Sequence, residues 1–247
     1  ARRSAGRSDQ GFEGMNPTTE KAVAAYGGKE FWSKAKRIEA EVSVHGWAFT
    51  LKGRPFFKHA KIEMDVHRPF SRLTPIGKDP QIAGVLDGHD VRLEDSNGKV
   101  IEERKDARHY FPGGRRLFYW DDLDMSYFAN YAFWNYFTLP ALLMHEDIDW
   151  KEIQPGWLEA TFPESIPTHN KVQRFRFDLE TGLLLQHDYT ADIITKLATA
   201  ANVVLEHKQS DGVVYTSRRL VTPRAPSGKA LPAPTLVDIT VHDFRVE

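Results

Sequence analysis

Ten histidines are the first candidates for chemistry in this chain of 247 residues. They do not pair at the i, i+4 spacing of a helical zinc site, and no cluster with Asp or Cys has ligand spacing, so no metal is expected. His59, Glu63 and Asp65 share one parity of an alternating run with Lys61 and His67. If that face lines a concavity, it is a candidate acid–base group; the competing reading is a wet outer face whose charges pair across strands. His187 and Tyr189 fall in phase with Leu183 and Leu185, and His207 with Val203 and Leu205. A histidine pointing where apolar groups point is a candidate general base near neutral pH. Its alternative is a core histidine satisfied by a carbonyl. Asp121, Asp122 and Asp124 crowd what reads as the first turn of a helix, where carboxylates oppose the macrodipole; the sharper alternative is a carboxylate metal site.

The element that must position these groups runs from Met125 to Met144, MSYFANYAFWNYFTLPALLM, without a charged residue. It carries Tyr127, Phe128, Tyr131, Phe133, Trp134, Tyr136 and Phe137, and Phe118, Tyr119 and Trp120 precede it. A transmembrane span is arguable on length. Ser126, Asn130, Asn135, Thr138 and Pro140 within it, and the polar remainder, favour a buried helix instead. Buried tyrosines need partners for their hydroxyls. Tyr127, Tyr131 and Trp134, at i, i+4 and i+7, share one side of the helix. With Trp120, Tyr189 and His207 they form the candidate ligand-binding set.

Composition narrows the classes. With 33 basic against 34 acidic residues and a formal charge of −1, the chain lacks the basic excess of a nucleic-acid binder. Zero cysteines exclude disulfides, thiol catalysis, Cys-ligated zinc, Fe–S clusters and a lipidated cysteine. Glycine-rich phosphate loops, a GxSxG elbow and a dinucleotide fingerprint are missing, so no cofactor is expected. Residues 1–14 are basic and small without an apolar core, so they do not read as an intact signal peptide. The expected setting is cytoplasmic, with an exported chain whose signal has been removed as the alternative.

Around the aromatic stretch the pattern is strand. Asn16-Pro17-Thr18 reads as a helix start and Gly27-Gly28 as its stop, with a second short helix over 29–36. Alternation over 38–45 and 56–67, a short run at 71–77, and hairpin signals at Asp87-Gly88 and Ser96-Asn97-Gly98 make a meander. Further strands are expected at 148–153, 157–162, 172–178, 183–191, 203–209, 213–221 and 236–246, with the proline-rich 223–234 as a crossing loop. No fixed-period repeat is present. The organisation read from this is a flexible tail over 1–15 and one domain over 16–247, with an aromatic helical plug at about 120–144.

Three segments carry a family resemblance: Ala24-Ala25-Tyr26-Gly27-Gly28 leading to Trp32 and Ile38-Glu39-Ala40-Glu41-Val42; Phe177-Asp178-Leu179-Glu180-Thr181-Gly182-Leu183-Leu184 leading to His187-Asp188-Tyr189; and Pro234-Thr235-Leu236-Val237-Asp238-Ile239. In this order the chain resembles the LolA/LolB/LppX group of lipoprotein carriers. The resemblance implies a mainly β (α+β) fold, with one antiparallel, strongly curved half-barrel sheet whose concave face is plugged by helices. It also implies a hydrophobic small molecule or lipid as the partner. The function expected is binding or carriage of a hydrophobic or aromatic molecule between sheet and aromatic helix. Its alternatives are a cofactor-independent cyclase- or isomerase-type enzyme using His187 or the His59/Glu63/Asp65 face, and a protein-interaction module.

Overall fold

The computed structural model describes residues 14–111 and 114–247. The expected tail, up to residue 13, and Pro112-Gly113 of the break before the aromatic stretch lie outside the described residues. Two short helices come first, α1 (Pro17–Ala25) and α2 (Lys29–Lys34). The Asn16 side chain accepts from the Thr19 N–H and so caps α1, satisfying an otherwise orphaned donor. β1 (Arg37–His45) follows, then α3 (Trp47–Leu51), a one-turn helix of which the hydrophobic periodicity gives no sign. The meander is β2 (Phe57–Asp65), β3 (Phe70–Thr74), β4 (Ala83–Asp87), β5 (Asp90–Glu94) and β6 (Val100–Arg104).

The aromatic stretch is α4 (Asp122–Phe137) followed by α5 (Leu139–Leu142). Pro140 does not kink one long helix; α4 stops at Phe137 and the proline occupies the first turn of α5, where a missing N–H costs nothing. β7 (Asp149–Gln154), β8 (Trp157–Thr161), β9 (Val172–Phe177), β10 (Leu184–Thr190), β11 (Thr199–Ser210), β12 (Val213–Pro223) and β13 (Val237–Val246) complete the chain.

All strands belong to one 13-stranded sheet in the order β6-β5-β4-β3-β2-β1-β13-β12-β11-β10-β9-β8-β7, paired antiparallel throughout. The ends β6 and β7 do not pair with each other, so the sheet is an open half-barrel. β13 closes the gap between the two meanders by pairing with β1 from Ile38↔Val246 to His45↔Asp238 and with β12. The concave face is hydrocarbon: Ile38, Ala40, Val42 and Val44 on β1, Ala60, Ile62 and Met64 on β2, and Ile239, Val241 and Phe244 on β13 are buried.

α4 lies in this concavity over β3, β4 and β5. From Leu123 to Phe137 every residue except Phe128 is buried, so its polar groups need partners inside the protein. Asp121 and Asp124 form a capping box at its start. Arg104 bridges both carboxylates at 2.8 Å, and Arg116 Nε donates to Asp124 at 2.9 Å. Burial alone would raise the Asp121 carboxyl, but the bonds from Arg104 and the Asp124 N–H outweigh it and bring it down to about 2. The three aspartates are therefore helix caps and ion-pair partners; among the described residues no group of three or more side chains could hold a metal.

Midway along α4, Asn130 pins the helix to the sheet. Its Nδ2 donates to the Gly84 and Ser126 carbonyls at 3.1 and 2.8 Å, and its Oδ1 accepts from Ser71 Oγ at 2.8 Å. This approach demands glycine at 84, because a Cβ there would stand 2.2 Å from Ser126 Oγ and 2.8 Å from Ile76 Cγ1. Gly84→Ala is therefore expected to push α4 off β4 and destabilise the fold by about 1–3 kcal/mol. Urea denaturation checks it; a midpoint equal to that of the parent protein would show that the helix does not need this close contact.

Candidate functional site

The helix side read from the sequence divides on folding. Tyr127 faces the β4–β5 turn and the 107–110 segment, Tyr131 faces the connection between β8 and β9, and Trp134 donates from Nε1 to the Asp65 carbonyl at 2.8 Å. The polar atoms of all three are taken by protein groups. The Tyr127 hydroxyl meets His89 Nδ1 at 3.1 Å and accepts from Arg108 at 3.4 Å. The Tyr131 hydroxyl meets His169 Nδ1 at 3.1 Å. Trp120 donates to the Arg116 carbonyl and borders a space of about 10 Å³ with Phe49, Met125 and Phe128.

His59, Glu63 and Asp65 are on the outer, solvent side. His59 adopts a positive φ of 48°, pairs with Glu41 and stacks on His242 at 4.2 Å. Glu63 pairs with Arg37 at 2.9 Å, and Asp65 Oδ1 caps the His67 and Arg68 N–H groups. The structure does not bring these three together at a cavity.

His187 and Tyr189 do point inward, but with Leu184 rather than with Leu183 and Leu185. A register shift between Leu184 and Gln186 moves the phase by one residue. His207 likewise leaves the phase of Leu205, which is half-exposed, because β11 shifts register on both sides of Glu206. Such bulges are invisible to a strict period of two.

What gathers on the inner face is a buried polar network centred on His169, a residue that no periodicity marks because it sits in the irregular connection between β8 and β9. Its Nδ1 meets Tyr131 and its Nε2 meets the Tyr136 hydroxyl at 2.9 Å, so one ring nitrogen donates and the other accepts. Tyr189 stacks on it at 3.7 Å with the rings nearly parallel, and its hydroxyl reaches that of Tyr136 at 3.2 Å. His187 stacks on Phe175 and donates from Nε2 to Gln173 Oε1 at 2.6 Å. Burial, with Arg108 nearby, drives His169 down to about 3, and burial likewise holds His187 well below the ordinary range. Tyr131, Tyr136 and Tyr189 are pushed up by the same desolvation. Neutral histidines and reluctant tyrosines hold structure well and exchange protons poorly near pH 7.

Two of the openings beside the network bear on a ligand. One is a broad cleft of about 660 Å³ bordered by His89, Arg108, Glu164, Thr168, Asn170 and Asp192, among others. Arg108 bonds the Thr168 and His169 carbonyls there at 2.7 and 3.1 Å. The other is a seam at the far end of α4, where α1, α2 and α5 meet β10, β12 and β13. Tyr26, Trp32, Phe137, Leu139, Phe244 and Arg219 are among its walls, and its free space is about 20 Å³. Tyr26 accepts from the Leu184 N–H at 2.9 Å, and its hydroxyl meets His207 Nε2 at 2.8 Å. Burial raises Tyr26 to about 12; burial and then Arg219 lower His207 to about 4. The alternation Val213, Tyr215, Ser217, Arg219, Val221 carried the signal for this arginine, a charge in phase with apolar residues.

The histidine network links stability to pH with a definite sign. An unfolded histidine takes a proton near 6.5, whereas folded His169 stays neutral to about 3. Stability is full above the unfolded value and falls as pH drops from about 6.5 towards 3, by about 1.4 kcal/mol per pH unit per proton. His169→Gln should flatten the stability–pH slope between pH 6 and 4 by about one proton's worth. Denaturation series at half-unit pH steps measure this, and an unchanged slope would show that His169 titrates normally in the fold.

No protein-family model matches the chain, and no curated protein matches it. Among solved structures it is similar to a LolA superfamily protein from Nitrosomonas europaea, at 9% identity and TM-score 0.51, with 94% of this chain and 92% of that one covered. It is also similar to a DUF1329 family protein from Desulfovibrio piger (13% identity, TM-score 0.48, 94% and 92% covered). A third is a domain named for outer membrane lipoprotein sorting from Vibrio parahaemolyticus (12%, 0.49, 93% and 91%). Likeness at this identity bears on architecture and not on activity. An open, curved antiparallel sheet with its concave face stopped by helices, matched over nearly its whole length by the Nitrosomonas structure, is a LolA-like fold.

Proposed function

We propose that this chain binds and carries a hydrophobic molecule on the concave face of its half-barrel, with the helical layer as a displaceable stopper. The observation that supports it is the make-up of that face: hydrocarbon on β1, β2 and β13, covered by separate short helices and not by a second sheet. α4 is anchored over β3 and β4 by the hydrogen bonds of Asn130, whereas α5 offers Leu139, Pro140, Ala141 and Leu142, all buried and apolar, and a single tie to the sheet, from Trp150 Nε1 to the Leu142 carbonyl at 2.8 Å. The space of about 20 Å³ at the seam is of the order of one water. An acyl chain or ring system therefore enters as α5 moves aside, exchanging helix–sheet contact for ligand–sheet contact of similar apolar area. Among the described residues no helix is long and apolar enough to cross a membrane. Fractionation of the source cells tells the cytoplasmic setting from the exported one.

Native mass spectrometry of protein isolated from its own cells, followed by solvent extraction, tests the reading. A stoichiometric apolar compound released on unfolding is the expected result. A protein that stays empty, and whose tryptophan fluorescence ignores apolar probes, would remove it. The enzyme alternative asks for two groups poised near neutrality at one open point, and the shifts at His169, His187 and the tyrosines run away from neutrality.

One observation favours an interaction surface as a second reading. Trp47 and Leu51, one turn apart on α3, are exposed beside the 117–119 segment, where Phe118 is 76% exposed and Lys52 ties the end of α3 to the Leu117 carbonyl. Exposed aromatics of this density mark contact sites. Sedimentation that depends on concentration in the parent protein, but not in a Trp47→Ser, Phe118→Ser variant, is the expected sign of self-association there; a monomer at all concentrations would refute it.

A further inference from the structure

Arg219 is among the largest fully buried side chains in the structure, and its charge is poorly matched. Nε donates to Thr216 Oγ1 at 3.0 Å, and Nη2 reaches the Tyr136 carbonyl at 3.4 Å. The guanidinium also lies over the Tyr136 ring, 4.7 Å from its centroid. The Tyr136 carbonyl belongs to the last turn of α4, whose negative dipole end partly compensates the cation. Among the described residues no carboxylate lies within ion-pair distance of it, and Nη1 has no hydrogen-bond partner. Nearby, Asn202 has neither side-chain atom in an aligned hydrogen bond. A buried guanidinium with an idle nitrogen is costly. The fold nevertheless places it at the wall of the seam that Trp32, Phe137, Leu139 and Phe244 make apolar.

We propose that Arg219 receives the carboxylate of a long-chain anionic amphiphile, whose hydrocarbon tail lies in the seam between α5 and β12–β13. This rests on the reading of the half-barrel as a hydrophobic-molecule carrier and names the chemistry of its cargo. A carboxylate oxygen takes the hydrogen bond that Nη1 lacks, and the planar guanidinium fits a carboxylate in a fork. The apolar walls then pair with the tail. A neutral ester or alcohol of equal length gains the second contribution without the first. Burial away from water makes the difference large, because an exposed arginine would be screened.

The test titrates the whole protein with palmitate, methyl palmitate and hexadecanol below their aggregation limits, following calorimetric heat and tryptophan emission, to which Trp32 in the seam wall contributes. Palmitate is expected to bind about 10- to 100-fold more tightly than the ester and the alcohol. In Arg219→Met that preference should vanish while ester binding persists. The melting temperature of Arg219→Met should be equal to or above that of the parent, because a desolvated, under-paired charge has been replaced by a side chain of similar length. Should Arg219→Met not fold, the comparison of acid with ester in the parent protein decides alone. Equal affinity for all three probes would overturn the carboxylate assignment and leave the carrier reading intact. Binding of none of them would overturn both.

Discussion

A helix without a wet face is the constraint on which the structure turns. α4 has almost no surface to give to solvent, so most of its polar side chains take partners that folding brings from elsewhere in the chain. Asp121 and Asp124 take Arg104 and Arg116; Asn130 takes Ser71 and the Gly84 carbonyl; Tyr127 takes His89 and Arg108; Tyr131 and Tyr136 take His169; Trp134 takes the Asp65 carbonyl. These contacts reach β2, β3, β4 and β6 on one side and the β8–β9 connection on the other, and the Tyr136–Tyr189 hydroxyl pair adds β10. The helix thus joins the two meanders from inside while β13 joins them within the sheet. Enclosure and registration are one requirement here, since a shift of the helix would strand buried polar groups.

The open sheet leaves two edges, and both are guarded by composition. β6 ends in Glu102-Glu103-Arg104 and is nearly all exposed, and β7 carries Asp149, Lys151 and Glu152 on a strand of which every residue but Trp150 is exposed. Charge on an edge strand discourages pairing with other chains. The half-barrel can therefore stay unclosed, and an unclosed barrel can be stoppered by helices that are not locked in by strands.

The interior treats its ionisable groups in two ways. His169 and His187 are kept neutral by burial and serve as hydrogen-bond joints between aromatic rings. Arg219 cannot be neutralised in this way; it stays cationic, leaning on the end of α4 and on the Tyr136 ring. A histidine that adapts to its surroundings is no sign of a ligand, whereas a fixed charge that its surroundings only partly answer points outward to one.

Much of the architecture was legible because it depends on local pattern. Alternation along β1 and β2, the Asp-Gly and Asn-Gly turns, the Asn16 cap and the charge-free aromatic run each follow from short-range sterics and burial. Together they imply strands, a plug and a curved sheet. The aspartates at the start of α4 were readable as caps, although their arginine partners were not. Other features arise only when distant segments meet. The place of β13 between β1 and β12, the register shifts that turn His187 away from the phase of Leu185, and the gathering of Tyr131, Tyr136, Tyr189 and His169 around one buried point all depend on long-range packing. So does the difference between His59, in phase with charges and left on the outside, and Arg219, in phase with Tyr215 and Val221 and sealed within. A one-dimensional pattern records which residues share a face; only the closed packing of sheet against helix decides which face is concave, which partner each polar atom finds, and which charge is left without one.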